Sequence, residues 1–130
     1  MILEIEKLPE DYFVAKVSRI DSALIEEISS NSFDFWTVSK SPDENSLVST
    51  TPNHPSFQVV EGPWSAFRIA GPLDFSLTGI LSRCSTLLAN ASISVFAIST
   101  FDTDYFLVRK EFEKAAINVW REGGIKVELN

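Results

Sequence analysis

The sequence has few of the residues that build disulfides, metal sites and nucleophilic active sites. Its 130 residues include one cysteine and one histidine. A single cysteine cannot form an intrachain disulfide, which is typical of proteins from a reducing compartment. One histidine excludes a two-histidine metal site, and its position in a proline-rich loop gives no indication of a Ser-His-Asp triad. We therefore predict no bound metal, no cofactor and no catalytic activity; a small enzyme with an acidic site is the least favoured alternative.

Positive charge and long apolar runs are also scarce. Lysine and arginine number 11 against 18 acidic residues, which gives a net charge of -7. A chain this acidic is repelled by nucleic acids and by anionic membrane surfaces, so neither is an expected partner. No apolar run is long enough to span a bilayer, and the start Met1–Lys7 carries acids where a signal peptide would be basic. We expect an intracellular, cytoplasmic protein.

Large apolar residues, in contrast, are abundant. Hydrophobic residues make up 45% of the chain and include ten phenylalanines and three tryptophans. This content supports a folded core of one domain, or of two small modules that share a core. The simplest role for Trp36, Trp64 and Trp120 is within that core.

The second half has the clearer pattern. Apolar residues from Leu77 to Ala91 recur at the spacing of one buried helix face, with Ser76 as the expected N-cap and Asn90 as the end. A second helical stripe closes at Gly123 and Gly124. The predicted order is β-α-β-β-α-β, a ferredoxin-like arrangement. Its strands are Ser65–Ala70, Ile93–Ile98 (covered on both faces), Tyr105–Arg109 and Ile125–Leu129.

The first half predicts a shorter version of the same plan, without the second helix. One helix, Ala23–Ser29, is expected to be capped by Asp21. The fold class is therefore α+β, with two ferredoxin-like modules in tandem, antiparallel sheets and helices on one face. We place the abbreviated module at residues 1–63 and the complete one at 64–130. The predicted strands of the first half are Ile2–Glu6 (ended by Pro9), Tyr12–Ser18, Phe33–Ser39, Ser46–Thr50 and Phe57–Val60.

Two reactive residues have simple structural interpretations. Cys84 lies on the apolar helix stripe, which indicates a buried and inert thiol. His54 lies in a proline-rich loop, which favours a solvated side chain.

Three segments carry a resemblance to a known family. They are Trp64, the run from Gly71 to Ile80, and the run from Ile93 to Asp104. With these segments the part from Trp64 to Gly124 resembles the ACT domain family, whose members are small-molecule-sensing modules. It is most similar to the tandem-ACT subgroup of CASTOR-type arginine sensors and aspartate kinase regulatory regions. The first half adds looser similarity at Phe35–Ser39 and Asp43–Val48.

The resemblance implies a ligand site between two ACT modules. In this family the ligand amino acid is held by the loop before the first helix and by the end of the second strand. A single copy of the unit implies a homodimer, with a regulatory protein as a further partner. Where the usual ACT signature has proline before the loop glycine, this chain has Thr78. The residues implied by position are Leu73, Asp74, Ser76, Thr78, Gly79 and Ile80 on one wall and Thr100, Phe101, Asp102 and Asp104 on the other.

The chemistry of these residue types suits a zwitterion. A helix start offers unpaired amides to a carboxylate, whereas Asp102 or Asp104 can neutralise an ammonium group or a cationic side chain. Arginine or another cationic amino acid is therefore preferred. Without the resemblance, turn and packing positions are the favoured interpretation of Gly71 and Gly79, and hairpin-turn caps are the favoured interpretation of the two aspartates. A scaffold that has lost the ligand and acts through protein contacts is the alternative function.

Overall fold

A computed structural model describes residues 3–70 and 79–129. They form two compact units, Glu10–Trp64 (the N-terminal unit) and Met1–Pro9 with Ser65–Asn130 (the C-terminal unit). The elements in chain order are β1 (Glu4–Val17), α1 (Ser22–Asn31), β2 (Thr37–Lys40), β3 (Asn45–Ser49), β4 (Phe57–Ile69), α2 (Ile80–Asn90), β5 (Phe96–Ser99), β6 (Asp104–Arg109), a 3-10 turn (Lys110–Phe112), α3 (Glu113–Glu122) and β7 (Lys126–Glu128).

The N-terminal unit packs one helix on a sheet with the strand order β2-β3-β1-β4. The β1–β3 pair is antiparallel, in register from Phe13 opposite Ser49 to Val17 opposite Asn45. Helix α1 begins where the sequence predicts, because the Asp21 carboxylate accepts a hydrogen bond from the Leu24 amide at 2.9 Å. Its buried side packs in a core formed by Ala15, Val17, Leu24, Ile28 and Leu47.

The C-terminal unit contains the predicted β-α-β-β-α-β order, so the α+β, ferredoxin-like fold class is confirmed. Its strand order is β7-β1-β4-β6-β5. Strands β5 and β6 are antiparallel, whereas β1 and β7 are parallel, with Glu4 opposite Lys126. The fully buried Trp120 is central to the core and meets the ring of Phe67 edge-on at 5.0 Å. Around it lie Ile5, Ile69, Cys84, Leu88, Phe106, Val108, Ala116 and Ile117.

Two predicted strand breaks are wrong. β1 continues through Pro9, where we expected one strand to end, and β4 continues through Gly62 and Pro63. The peptide bond between Gly62 and Pro63 is cis. Proline lacks an amide hydrogen but is tolerated in a strand at positions that donate no ladder bond. The presence of proline and glycine alone therefore does not predict that a strand ends at these positions.

Residues up to Pro9 are grouped with the C-terminal unit, and the chain passes between the units again after Trp64. The sequence prediction places the whole of residues 1–63 in the first module. Whether the chain consists of two ACT modules that meet between residues 63 and 64 stays a prediction.

Three further details differ from the sequence predictions. Helix α2 begins at Ile80 with Gly79 as its N-cap, so the predicted cap at Ser76 is wrong; Ser76 itself lies outside the described residues. Strand β5 is not covered on both faces, because its side chains alternate between half-buried and exposed. The strand predicted from Phe33 starts only at Thr37, and Phe33 is 82% exposed.

Among residues 3–70 and 79–129, no helix has both the length and the apolar character needed to cross a membrane.

Candidate functional site

The turn between β5 and β6 carries most of the predicted site residues that the structure describes. The Thr100 amide donates to the Thr103 carbonyl oxygen at 2.8 Å, and the Thr100 hydroxyl reaches the same oxygen at 3.2 Å. Ser99 and Asp104 are paired across the strands at the base of the turn. This closed turn holds Phe101 and Asp102 at its tip.

The two aspartates of the turn have different surroundings. The Ser99 hydroxyl donates to Oδ1 of Asp104 at 2.5 Å, so part of that carboxylate is already used within the turn. Asp102 is exposed at the tip, next to Phe101, whose side chain is 80% exposed. A cation that binds Asp104 would compete with the hydrogen bond from Ser99. Asp102 is therefore the more accessible of the two carboxylates.

Thr103 ties this turn to strand β4. It is 8% exposed, and its hydroxyl donates to the buried carbonyl oxygen of Ile69 at 2.9 Å. Ile69 is the last residue of β4, close before the segment 71–78 that precedes α2. The bond thus links the turn to the strand that leads into the other wall of the predicted site. The sequence analysis did not single out Thr103. A threonine between two aspartates gives no indication of which distant group its hydroxyl bonds to.

The start of α2 supplies the other described part of the site. Gly79 has φ of +78° and no side chain to cap the helix, and its carbonyl oxygen accepts the first helical bond from the Arg83 amide at 2.8 Å. A Cβ built on Gly79 would meet no atom of residues 3–70 and 79–129 within 4 Å. The first-turn amides of a helix lack partners within the helix. Gly79 therefore leaves open space beside polar groups, whereas Ile80 is half-buried against the core.

Arg83 joins the beginning of α2 to the end of α3. Its Nη2 donates to the carbonyl oxygen of Gly123 at 3.0 Å, where the negative end of the α3 dipole favours a cation. A second bond connects the helices nearby, from Trp120 Nε1 to the Cys84 carbonyl oxygen at 3.1 Å. These two bonds make the start of α2 part of a rigid helix pair.

Cys84 is the buried thiol that its helical position predicts. Burial raises the pKa of this thiol from 9.0 to about 11; the positive charge of Arg83 opposes the shift and the negative charge of Asp104 adds to it. The thiolate is the reactive form of cysteine, so Cys84 is inert at neutral pH.

His54 is not the solvated loop residue that the sequence predicts. Its side chain is 17% exposed, and Nδ1 accepts a hydrogen bond from the Ser56 amide at 2.9 Å. Nε2 lies 3.5 Å from a carboxylate oxygen of Glu27 on α1. The ring also contacts Phe57. His54 therefore holds its loop against the helix, a role that a proline-rich composition does not reveal.

The predicted site residues fall into three groups. Gly79 and Ile80 lie at the start of α2, and residues 100–104 form the turn at the start of β6. Within the described part of the chain, no group of three or more histidine, cysteine, aspartate or glutamate residues could hold a metal ion. That the two parts act together on one ligand stays a prediction. Leu73, Asp74, Ser76 and Thr78 lie outside the described residues.

Comparison with solved structures finds the same architecture in other proteins. Protein Atu0741 from Agobacterium tumefaciens is 27% identical, with a TM-score of 0.82, over 100% of this chain and 95% of that one. A protein of unknown function from Vibrio cholerae is 18% identical, with a TM-score of 0.71, over 94% and 90%. The regulatory subunit of aspartate kinase from Thermus thermophilus is 7% identical, with a TM-score of 0.66, over 95% and 99%. The last two likenesses concern the fold alone.

Comparison of the sequence itself gives the family. No protein of curated function matches it. A family model described as the ACT domain matches residues 59–122. The predicted ACT resemblance is thereby confirmed, while the narrower similarity to CASTOR-type sensors stays a prediction. Residues 59–122 of this chain thus match the ACT domain family, whose members are regulatory, non-catalytic modules.

Proposed function

We propose that this chain is a non-catalytic regulatory protein that binds a free amino acid at an interface between ACT modules. Binding changes its conformation or its association, and a protein partner responds to that change. The ACT family match supports the general role. The observation that carries the proposed site is the bond from Thr103 to Ile69, which ties the acidic turn to the strand preceding α2.

The two ends of the ligand meet different groups in this proposal. The α-carboxylate lies at the start of α2, where Gly79 permits close approach to the backbone and the helix dipole favours negative charge. The ammonium group or a cationic side chain lies at Asp102, with Asp104 as the second carboxylate. Phe101 covers the apolar part of the ligand. The family resemblance adds Leu73, Asp74, Ser76 and Thr78, which lie outside the described residues, to the ligand-binding set.

A second copy of the chain provides the opposite side of the site. Two features support a homodimer at this end of the C-terminal unit. Among the described residues, strand β5 is the last strand of its sheet order, which makes it an edge strand of the kind that pairs with a second chain. Phe101, 80% exposed at the tip of the adjacent turn, is a large apolar group of the kind that interfaces bury.

Calorimetric titration with the twenty amino acids tests the proposal. We expect one class, arginine or another cationic amino acid, to bind, and Asp102→Asn to weaken binding about tenfold or more, because a hydrogen bond to a charged group contributes about 1.5–3 kcal/mol. Glu111→Gln removes the same charge from an exposed position and should bind normally. Sedimentation with and without ligand reports the dimer. No heat from any amino acid at millimolar concentration would contradict the proposal.

A ligand-free scaffold is the second candidate, and the exposure of Phe101 favours it as well. In that case no amino acid binds, yet Phe101→Ser abolishes self-association or partner binding. Amino acid binding by the wild type that Phe101→Ser weakens favours the sensing role instead.

A further inference from the structure

We propose that His54 is a proton-operated switch in the N-terminal unit. The neutral ring accepts a hydrogen bond from the Ser56 amide and so orders the end of the loop 51–56, between β3 and β4. Protonation of the ring removes this bond, while Glu27 continues to hold the ring against α1. Acid therefore loosens the loop without unfolding the unit. None of these residues belongs to the amino acid site proposed above, so the two proposals are independent.

His54 begins a tight turn that leads into β4. The Phe57 amide donates to the His54 carbonyl oxygen at 2.9 Å and closes the turn over Pro55 and Ser56. Proline is favoured at the second position of such a turn, because its φ is already fixed near the required value. Inside the turn, the Ser56 amide donates to Nδ1 of the His54 ring at 2.9 Å. The His54 side chain thus takes the part that an asparagine or aspartate side chain has in many turns.

The bond from Ser56 determines which ring nitrogen carries the proton. A backbone amide can only donate, so Nδ1 is the acceptor and the neutral ring carries its proton on Nε2. In the protonated ring both nitrogens are donors. Nδ1 then cannot accept the Ser56 amide, because two N–H groups would face each other across 2.9 Å. Protonation of His54 and this hydrogen bond therefore exclude each other.

The charged groups near the ring belong to α1 and to the segment before it. Nε2 lies 3.5 Å from a carboxylate oxygen of Glu27, and the N-cap Asp21 is within electrostatic reach of His54. Arg19 offsets part of the charge of Asp21, since its Nε lies 3.1 Å from Oδ2. Residues 51–58 contain no other ionisable side chain. A protonated ring is therefore attracted to α1 at the same time as it loses the Ser56 amide.

The remaining contacts confine the change to the loop. The Ser56 carbonyl oxygen accepts the Ser18 amide at 2.9 Å, which keeps the start of β4 beside the end of β1. Phe57 packs against the core of the N-terminal unit and contacts the ring of His54, whose side chain is 17% exposed. The Ser18 bond and the core packing of Phe57 involve no ionisable group. The loop 51–56 is thus the part that responds to pH.

NMR of the uniformly 15N-labelled full chain between about pH 8 and pH 5 tests the switch. At the alkaline end we expect the imidazole nitrogens to report a proton on Nε2. As the pH falls, the Ser56 amide should change with the same midpoint as the ring. Its hydrogen exchange, corrected for the intrinsic dependence on pH, should become roughly two- to tenfold faster. A proton on Nδ1, a ring that stays neutral throughout, or a Ser56 amide that does not follow the ring would overturn the proposal.

Two substitutions of His54 separate the hydrogen bond from the titration. His54→Asn keeps an oxygen that accepts the Ser56 amide but takes up no proton in this range. Its Ser56 amide should stay protected at every pH, whereas in His54→Ala it should exchange fast at every pH. A Ser56 amide that still titrates in His54→Asn would show that another group is responsible.

Glu27→Gln tests what holds the protonated ring. This substitution removes the carboxylate beside Nε2, so in acid the His54 ring should lose its nuclear Overhauser contacts with Phe57, which the wild type should keep. Glu26→Gln removes the same charge from the neighbouring exposed position of α1 and should behave like the wild type. Equal behaviour of the two glutamine variants would overturn the role of Glu27.

The amides of β3 provide the internal reference. This strand pairs with both β1 and β2, so its amides should stay protected over the whole range. If they lose protection together with Ser56, the N-terminal unit unfolds as a whole and a local switch is contradicted.

Discussion

The hydroxyl of Thr103 donates a hydrogen bond to the carbonyl oxygen of Ile69 at 2.9 Å, and both residues are buried. The bond joins a hairpin turn to a strand 34 residues earlier in the chain. Because the Ile69 carbonyl is enclosed, no water replaces this donor without structural change.

Thr103→Val should destabilise the protein by about 1–3 kcal/mol, the cost of leaving a buried polar group without its partner. The substitution preserves shape, so the loss reports the hydrogen bond rather than a cavity. Urea unfolding measures it. The matched control is Thr86→Val on the exposed face of α2, which should change the free energy of unfolding by less than about 0.5 kcal/mol. Equal effects of the two substitutions would show that the bond contributes nothing.

Two glycines with positive φ should respond differently to alanine. At Gly62 (φ +152°) a Cβ would lie 2.7 Å from Phe13 Cδ1 and 2.9 Å from the Tyr12 carbonyl oxygen. At Gly79 (φ +78°) it would meet no atom of the described part of the chain within 4 Å. Gly79→Ala should therefore cost only the backbone strain of about 1–2 kcal/mol, and Gly62→Ala roughly 2–5 kcal/mol, since overpacking is added. Chemical denaturation of both variants provides the comparison, and a cheaper Gly62→Ala would contradict it.

The N-cap of α1 should show a titration in acid. The hydrogen bond from the Leu24 amide lowers the pKa of Asp21 below its ordinary value of 3.8, with Arg19 contributing. The unfolded state therefore takes up the proton first. The resulting stabilisation is present above pH 3.8 and is lost as the pH falls through the lower folded pKa.

Melting curves of two variants isolate this effect. Asp21→Asn keeps a good cap without a titrating group, so its melting temperature should fall less steeply in acid than that of the wild type. Asp21→Ala should lower the melting temperature at neutral pH as well. Parallel acid profiles for wild type and Asp21→Asn would refute the assignment.

Cys84 should destabilise the folded state at alkaline pH. Its pKa is raised from 9.0 to about 11 by burial, so between these values the folded state keeps a proton that the unfolded state releases. The contribution is complete below pH 9 and is lost as the pH rises to about 11. The difference in unfolding free energy between wild type and Cys84→Ala should therefore decrease over this range. A difference independent of pH would show that the thiol is not desolvated.

The burial of Cys84 also predicts that its thiol is modified slowly. At pH 8 a thiol reagent should modify native Cys84 far more slowly than the urea-unfolded chain, because modification requires opening of the core. Equal rates would mean that the thiol is accessible in the native state.

Local patterns in the sequence predicted the elements whose stabilising groups are near neighbours in the chain. The Asp21 cap of α1, the end of α3 at Gly123, and the hairpin formed by β2 and β3 all depend on residues a few positions apart. The ACT resemblance also came from contiguous runs, and the family match at residues 59–122 confirmed it. Such features are encoded by spacing, which a linear sequence displays directly.

Tertiary structure decided everything that depends on distant partners. Whether β1 stops at Pro9, how β1 pairs with β7, and which carbonyl Thr103 reaches depend on residues tens to more than a hundred positions away. The composition of the loop around His54 predicted a solvated side chain. In the structure this side chain lies against Glu27 and accepts a hydrogen bond from Ser56. Side-chain periodicity reports which residues avoid water. Only the folded chain selects which of the many polar groups meet, because that choice depends on the packing of the whole core.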